Sequence, residues 1–166
     1  KRIKGPDIFL DVIERLQTRY KNLHILLTGP ARGYVKRGLE RLGIPYTHHF
    51  LDDYLDIATY YHALDLYIIT SRVEGGPKAM AESWCSGVPV VSTRVGMPAD
   101  YVRHGENGFL TEINDVEALV NYAGQLIDDK NLRVDVIQQG LQDVRTLDWM
   151  TVAKVYFEHI WQPIHG

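Results

Sequence analysis

Two glutamates, Glu74 and Glu82, stand with seven residues between them in the segment Ser71-Arg-Val-Glu-Gly-Gly-Pro-Lys-Ala-Met-Ala-Glu82. An ionised carboxylate is a pure hydrogen-bond acceptor, which suits it to sugar hydroxyls and not to phosphate. The residues between the two acids offer the opposite chemistry. Gly75 and Gly76 carry no side chain where a ligand must approach the backbone. Pro77 fits the first position of a helix whose N–H groups and positive dipole end suit a phosphate. Phosphate next to a polyol describes a nucleotide sugar or something like it. The same residues also fit ordinary helix-start chemistry, with Lys78 and Glu82 four apart, where they could simply pair.

Other polar clusters are weaker candidates. Gly29-Pro-Ala-Arg-Gly33 follows an apolar run and precedes a helical stretch, so Gly29 or Arg32 could border the phosphates. It is not a Gly-x-Gly-x-x-Gly dinucleotide turn, and none occurs elsewhere. His48 and His49 are neighbours on an expected strand, so they face opposite sides and cannot form one metal site. Asp52-Asp53 and Asp128-Asp129 lack Asp-x-Asp spacing. Asp100 reads as a helix-start residue. The single cysteine, Cys85, excludes an internal disulfide and thiolate zinc spacing, and its small, apolar neighbours suggest buried filler.

The elements that must position these residues alternate. Ile8, Phe9, Val12, Ile13 and Leu16 recur at helical spacing within 6–20. Strands are expected at 23–28, 44–50, 64–70 and 88–92, each followed by a helix: one closing at Leu42-Gly43, then 54–63, 77–86 and a short one near 98–103. A last strand is expected at 108–111. The C-terminal third is helical, with Asn114 and Glu117 forming a capping box and a second helix at 131–144. A final helix carries Trp149, Val152, Val155, Tyr156 and Ile160 on a stripe expected to pack across the domain or onto a partner. Repeated strand–helix units imply an α/β fold: a doubly wound, Rossmann-like parallel sheet with helices on both faces. A helix at Pro6 with no strand ahead of it breaks the alternation, and suggests that a first strand belonging to the sheet is missing.

At 166 residues the chain is one domain, and 45% hydrophobic with 23% charged residues is globular composition. No apolar run is long enough to cross a bilayer, and no basic start precedes an apolar core, so a cytoplasmic domain is expected. Net charge is −3, against nucleic-acid binding. Residues 1–41 hold 10 basic and 4 acidic residues. That basic region could meet phosphate or an anionic membrane surface, or be a solvated helix face.

Residues 71–82, continued by Ser86-Gly-Val-Pro-Val-Val-Ser-Thr93 and Val95-Gly96, resemble the signature of glycosyltransferase family 4, retaining enzymes of the GT-B fold. Lys4-Gly5, Tyr60-Tyr61 through Asp65, Gly105-Glu-Asn-Gly108 with Phe109-Leu110, and Asp148-Trp149 extend the resemblance over nearly the whole chain. It implies the C-terminal donor half of such an enzyme, transferring a hexosyl unit from a UDP- or GDP-sugar to an acceptor hydroxyl. Glu74 then contacts the transferred sugar as the catalytic carboxylate. Glu82 binds the ribose, Lys4 the pyrophosphate, and Gly75, Gly76, Lys78 and Ala79 offer backbone contacts. The loop 50–54 would lie near the nucleobase, although its side chains give no readable base code.

Pro77 stands where glycine is commoner and offers no N–H. An arginine usually precedes the lysine, and Arg2 has the wrong spacing to replace it. The resemblance implies a separate N-terminal acceptor domain outside this chain and same-face attack by the acceptor. A lysine and a helix N-terminus can replace a cation electrostatically, so no essential metal or other cofactor is expected. Rival readings are a sugar-nucleotide epimerase or phosphorylase of the same architecture, and a non-catalytic binding module.

Overall fold

Pro6 sits in the first turn of α1, Pro6–Arg19, where a missing N–H costs nothing, and Ile8, Leu10, Val12, Ile13 and Leu16 bury its apolar face. In the computed structural model, which describes residues 2–30 and 32–165, the alternation continues. β1 is Ile25–Thr28, α2 Gly33–Leu42, β2 Tyr46–His49, α3 Ile57–Tyr61, β3 Tyr67–Ile69, α4 Lys78–Cys85, β4 Val90–Thr93, α5 Gly96–Tyr101 and β5 Phe109–Thr111. Then follow α6 Val116–Asp128, α7 Lys130–Asp143, α8 Trp149–Tyr156, a π-helical turn Phe157–Trp161 and α9 Gln162–His165. Lys1, Ala31 of the Gly29 loop and Gly166 lie outside the described residues.

The expected parallel α/β arrangement is present, with the ladder in two parts. β1 pairs with β2 from Ile25↔Tyr46 to Thr28↔His49. β4 lies between β3 and β5, from Tyr67↔Val90 to Ile69↔Ser92 and from Val91↔Phe109 to Thr93↔Thr111. Every residue of β4 is buried, as an interior parallel strand requires. One core cluster joins both parts through α1 and α6: Leu16, Ile25 and Leu39 belong to it together with Val91, Phe109 and Leu119. A second holds Met80, Trp84, Val90, Leu110 and Val144.

Between β1 and β3 runs a cavity of about 1120 Å³. All of β1 and β3 line it, with Phe9, Ile13 and Leu16 of α1, Tyr60 of α3, and Ala63 and Leu64 after that helix. Its carboxyl end, at Thr28, Thr70 and Ser71, is also where the chain's first turn is fastened. The Ile3 carbonyl accepts from Arg72 N–H at 2.8 Å, and Thr70 Oγ1 donates to the Gly5 carbonyl at 3.0 Å.

Several local expectations are corrected. The residues expected to form one helix over 54–63 form a 3-10 turn, Tyr54–Asp56, and then α3. α6 is capped by Asp115, whose side chain accepts from Ala118 N–H at 2.9 Å. Asn114 instead adopts φ 68° and accepts from Arg72 Nε at 2.8 Å. Cys85 is exposed, because it ends α4 on the side away from Met80 and Trp84. The terminal apolar stripe does not pack across the domain: Trp149 is 80% exposed, and Val152, Val155, Tyr156 and Ile160 are exposed with it.

Candidate functional site

The strands deliver their carboxyl ends to one edge of the molecule. Thr70 and Ser71 leave β3 buried. Thr93 at the end of β4 donates to the Ser71 carbonyl at 2.6 Å, locking the start of the loop. From there the chain runs through Glu74, Gly75 and Gly76 to Pro77, which precedes α4 in extended geometry and gives it no side-chain cap. The first-turn N–H groups of a helix have no partner within it. Those of Lys78 and Ala79 therefore open at the site.

Glu74 is held by two donors that share one of its oxygens, Oε1. Its carboxylate forms an ion pair with Lys4 and accepts from Ser71 Oγ at 2.8 Å, and its side chain is 11% exposed against 58% for Lys4. Lys4 and Glu74, 70 residues apart in sequence, are thus neighbours at the mouth of the cavity, which Pro77, Lys78 and Ala79 also line. A guanidinium fork fastens the base of this region: Arg72 donates to both Asp7 oxygens at 2.8 and 2.7 Å. The hydrogen bonds from Arg72 hold the Asp7 carboxyl down at about 2.

Gly75 faces open space, whereas Gly76 lies against Met97. Gly96, at φ 47°, is packed so closely on the loop that a Cβ there would stand 2.4 Å from the Gly75 carbonyl oxygen. The loop carrying Glu74 is seated on that glycine.

Glu82 lies farther along α4 and does not pair with Lys78. Tyr54 donates to one of its oxygens and Tyr61 to the other at 2.9 Å. Burial pushes the Tyr61 and Tyr67 hydroxyls above the usual phenol range, and the bond to Glu82 does so for Tyr54, so Tyr54 and Tyr61 keep the protons they donate to Glu82. The Cys85 thiol is pushed up by desolvation and by the Glu82 charge.

Gly29 is turned towards β2: its N–H donates to the His49 carbonyl at 3.0 Å, and its own carbonyl accepts from His48 Nε2 at 2.8 Å. Thr28 and Arg32, not Gly29, line the cavity shared with Glu74. His49 packs on the Tyr60 ring, and Asp53 caps the turn at Leu55 N–H. Among the described residues no group of three or more His, Cys, Asp or Glu side chains is arranged to hold a metal. Also among them, no helix is long and apolar enough to cross a membrane.

The structure therefore gathers Lys4, Glu74, Pro77, Lys78 and Ala79, sets Glu82 farther along α4, and leaves Gly29 out of the cavity lining. Sequence reasoning missed Ser71 as a partner of Glu74, and missed Tyr54 and Tyr61 as partners of Glu82. No spacing rule links residues 28 and 21 positions apart.

Parallel strands flanked by helices, with their carboxyl ends at one edge, define a Rossmann-like α/β domain. The C-terminal domain of a group 1 glycosyl transferase from Francisella tularensis superposes with a TM-score of 0.76 at 23% identity, over 88% of this chain and 80% of that one. HepE from Anabaena, solved in complex with UDP, gives 0.74 at 25% identity over 93% of this chain and 46% of that one. Residues 1–143 match the family model described as glycosyl transferases group 1, and the chain belongs to that family. A similar curated relative is the lipopolysaccharide core biosynthesis glycosyltransferase LpsE of Rhizobium meliloti, 30% identical over 82% of this chain. Another is the D-inositol 3-phosphate glycosyltransferase of Corynebacterium urealyticum, 28% identical over 95% of it. The chain spans about 40% of the length of either relative.

Proposed function

We propose that the chain is the donor-binding half of a retaining, family 4 glycosyltransferase that acts in the cytoplasm and moves a hexosyl unit from a UDP- or GDP-sugar to an acceptor hydroxyl. The observation that carries this reading is the meeting of Lys4 and Glu74 beside the first turn of α4. A cation and helix N–H groups suit a diphosphate, and an adjacent carboxylate suits the sugar.

In this reading Lys4 leaves its ion pair for the diphosphate and stabilises the charge that grows there as the bond from the sugar's anomeric carbon to phosphate oxygen breaks. Glu74, still held by Ser71, faces the positive charge developing on the sugar. Glu82 accepts from the ribose hydroxyls. The acceptor oxygen bonds to the anomeric carbon from the same face, and its proton passes to the departing phosphate oxygen, so configuration is retained. Lys4 and the helix N-terminus supply the positive charge, and no metal is required.

The acceptor is held by a separate domain facing this edge. The cavity between β1 and β3 supports a further part of the reading: it takes a parallel strand. Such a strand would end at the carboxyl edge, where it leads directly into the Arg2–Lys4 turn. The basic residues of the first helices give the whole enzyme a surface for peripheral contact with an anionic membrane.

The test is thermal unfolding with UDP, GDP, ADP and the monophosphates, with and without chelator. A ligand at about 100 times its Kd stabilises by roughly 2.7 kcal/mol, or roughly 5–10 °C at this size. One diphosphate is expected to give this shift with chelator present, and Glu82→Ala and Lys4→Ala to lose it. A shift unaffected by both substitutions would sink the assignment.

A further inference from the structure

Both carboxylate oxygens of Glu82 are taken by hydroxyls that come from outside its own helix, and the two donors differ in everything else. Tyr61 ends α3, is 5% exposed, and packs its ring on Tyr67 of β3 with centroids 5.6 Å apart. Moving it would open a hole in a packed interior. Tyr54 begins the 3-10 turn and is 58% exposed, and Leu55 beside it is exposed further still. Its turn is tied by the bond from Leu55 N–H to Asp53 at 2.9 Å, which does not involve the Tyr54 side chain. The Tyr54 ring can therefore swing into water without disturbing either core cluster.

Glu82 is half-buried, and Tyr61 reaches it from the interior side. Tyr54 consequently covers the side that a ligand must use. A hydroxyl donating to that oxygen from the solvent side is chemically the same group that a ribose would present there.

We propose that Tyr54 is a displaceable stand-in for the ribose of the donor, and that Tyr61 is a positioning residue that keeps Glu82 aimed while the exchange occurs. The proposal rests on the assignment of Glu82 to the ribose. Nucleoside binding replaces one hydroxyl–carboxylate bond by another, so the carboxylate is never left buried without a donor. A ligand lacking ribose hydroxyls cannot make the exchange, and Tyr54 stays in place. Tyr54 thereby competes with the ribose diol alone: it lowers the affinity for ribonucleotides relative to an uncovered carboxylate and leaves dideoxynucleotides unaffected, while Glu82, kept aimed by Tyr61, favours the ligand that carries the diol.

The experiment is calorimetric titration of the protein, Tyr54→Phe and Tyr61→Phe with UDP, GDP and their 2′,3′-dideoxy counterparts, with unfolding temperatures measured alongside. Tyr54→Phe keeps the ring and deletes the competing hydroxyl. It is expected to tighten ribonucleotide binding roughly two- to tenfold, as loss of one ordinary hydrogen bond implies, with no change for the dideoxy ligand. Tyr61→Phe is expected to weaken the ribonucleotide several-fold and again leave the dideoxy ligand unchanged.

Unchanged or weaker ribonucleotide binding by Tyr54→Phe overturns the stand-in. Equal weakening of both ligands by Tyr61→Phe reduces it to a structural residue. If the unsubstituted protein binds ribo- and dideoxynucleotides equally, or neither, it is the assignment of Glu82 to the ribose that fails, and the proposal falls with it.

Discussion

The half of the molecule built on β3, β4 and β5 and the half built on β1 and β2 follow the same strand–helix rule and differ in how firmly they hold their carboxyl ends. In the first, β4 has neighbours on both sides, Ser92 and Thr93 are fully buried, and Thr93 is bonded to the Ser71 carbonyl. The loop bearing Glu74 is fixed from beneath by Gly96 and from the side by Ser71. In the second, no residue of β2 is buried, and one edge of β1 faces the cavity. Interior strands surrender their polar groups to ladders and side-chain bonds, which stiffens what they carry. Glu74 is thus attached to the three-stranded half. The loop after β1, expected to border the phosphates, and the loop after β2, expected near the nucleobase, belong to the two-stranded one.

The largest change should come from giving β1 and β3 a common neighbour. Six Val and Ile residues placed ahead of Lys1 are expected to raise the unfolding temperature and protect the amides of 25–28 and 67–69 from hydrogen exchange, while a Gly-Ser extension does neither. Equal behaviour of the two extensions would refute the cavity as a strand seat.

Next is a pair of glycines. Gly96→Ala forces a Cβ against the Gly75 carbonyl in a left-handed conformation, and is expected to cost about 2–5 kcal/mol in chemical denaturation. Gly29→Ala, at φ 77° and with Arg32 Nη2 at 3.9 Å the nearest contact beyond its chain neighbours among the described residues, should cost only about 1–2 kcal/mol. Equal costs would show that the two loops are equally embedded.

The smallest effect belongs to Asp7 and Arg72. The Asp7 carboxyl is lowered from 3.8 to about 2, so its pairing stabilises the fold above 3.8 and is lost as pH falls through about 2. The two side chains are 43% and 29% exposed, so screening limits the contribution to about 1 kcal/mol or less. Acid unfolding curves of Asp7→Asn should lack this component.

Much of the site was legible because it is local. Seven residues separate Glu74 from Glu82, and glycine, glycine and proline precede the helix between them. The family pattern added Lys4, whose contact with Glu74 no periodicity reports. Helix α6 was legible as well, but its cap was displaced by one residue: Asn114 was drawn into a bond with Arg72 and left the role to Asp115. Cys85 misled because its small, apolar neighbours resemble a core, while the phase of α4 turns it outward.

By itself the sequence determined the alternation of helices and strands, the parallel architecture and the acidic pair, since backbone preference and hydrophobic period act over a few residues. Tertiary structure alone decided that the ladder divides at β1 and β3, that Lys4 reaches Glu74, and that two tyrosines rather than Lys78 satisfy Glu82. Those outcomes depend on which distant groups are brought within about 3 Å of one another, and distance in space is what a linear pattern does not encode.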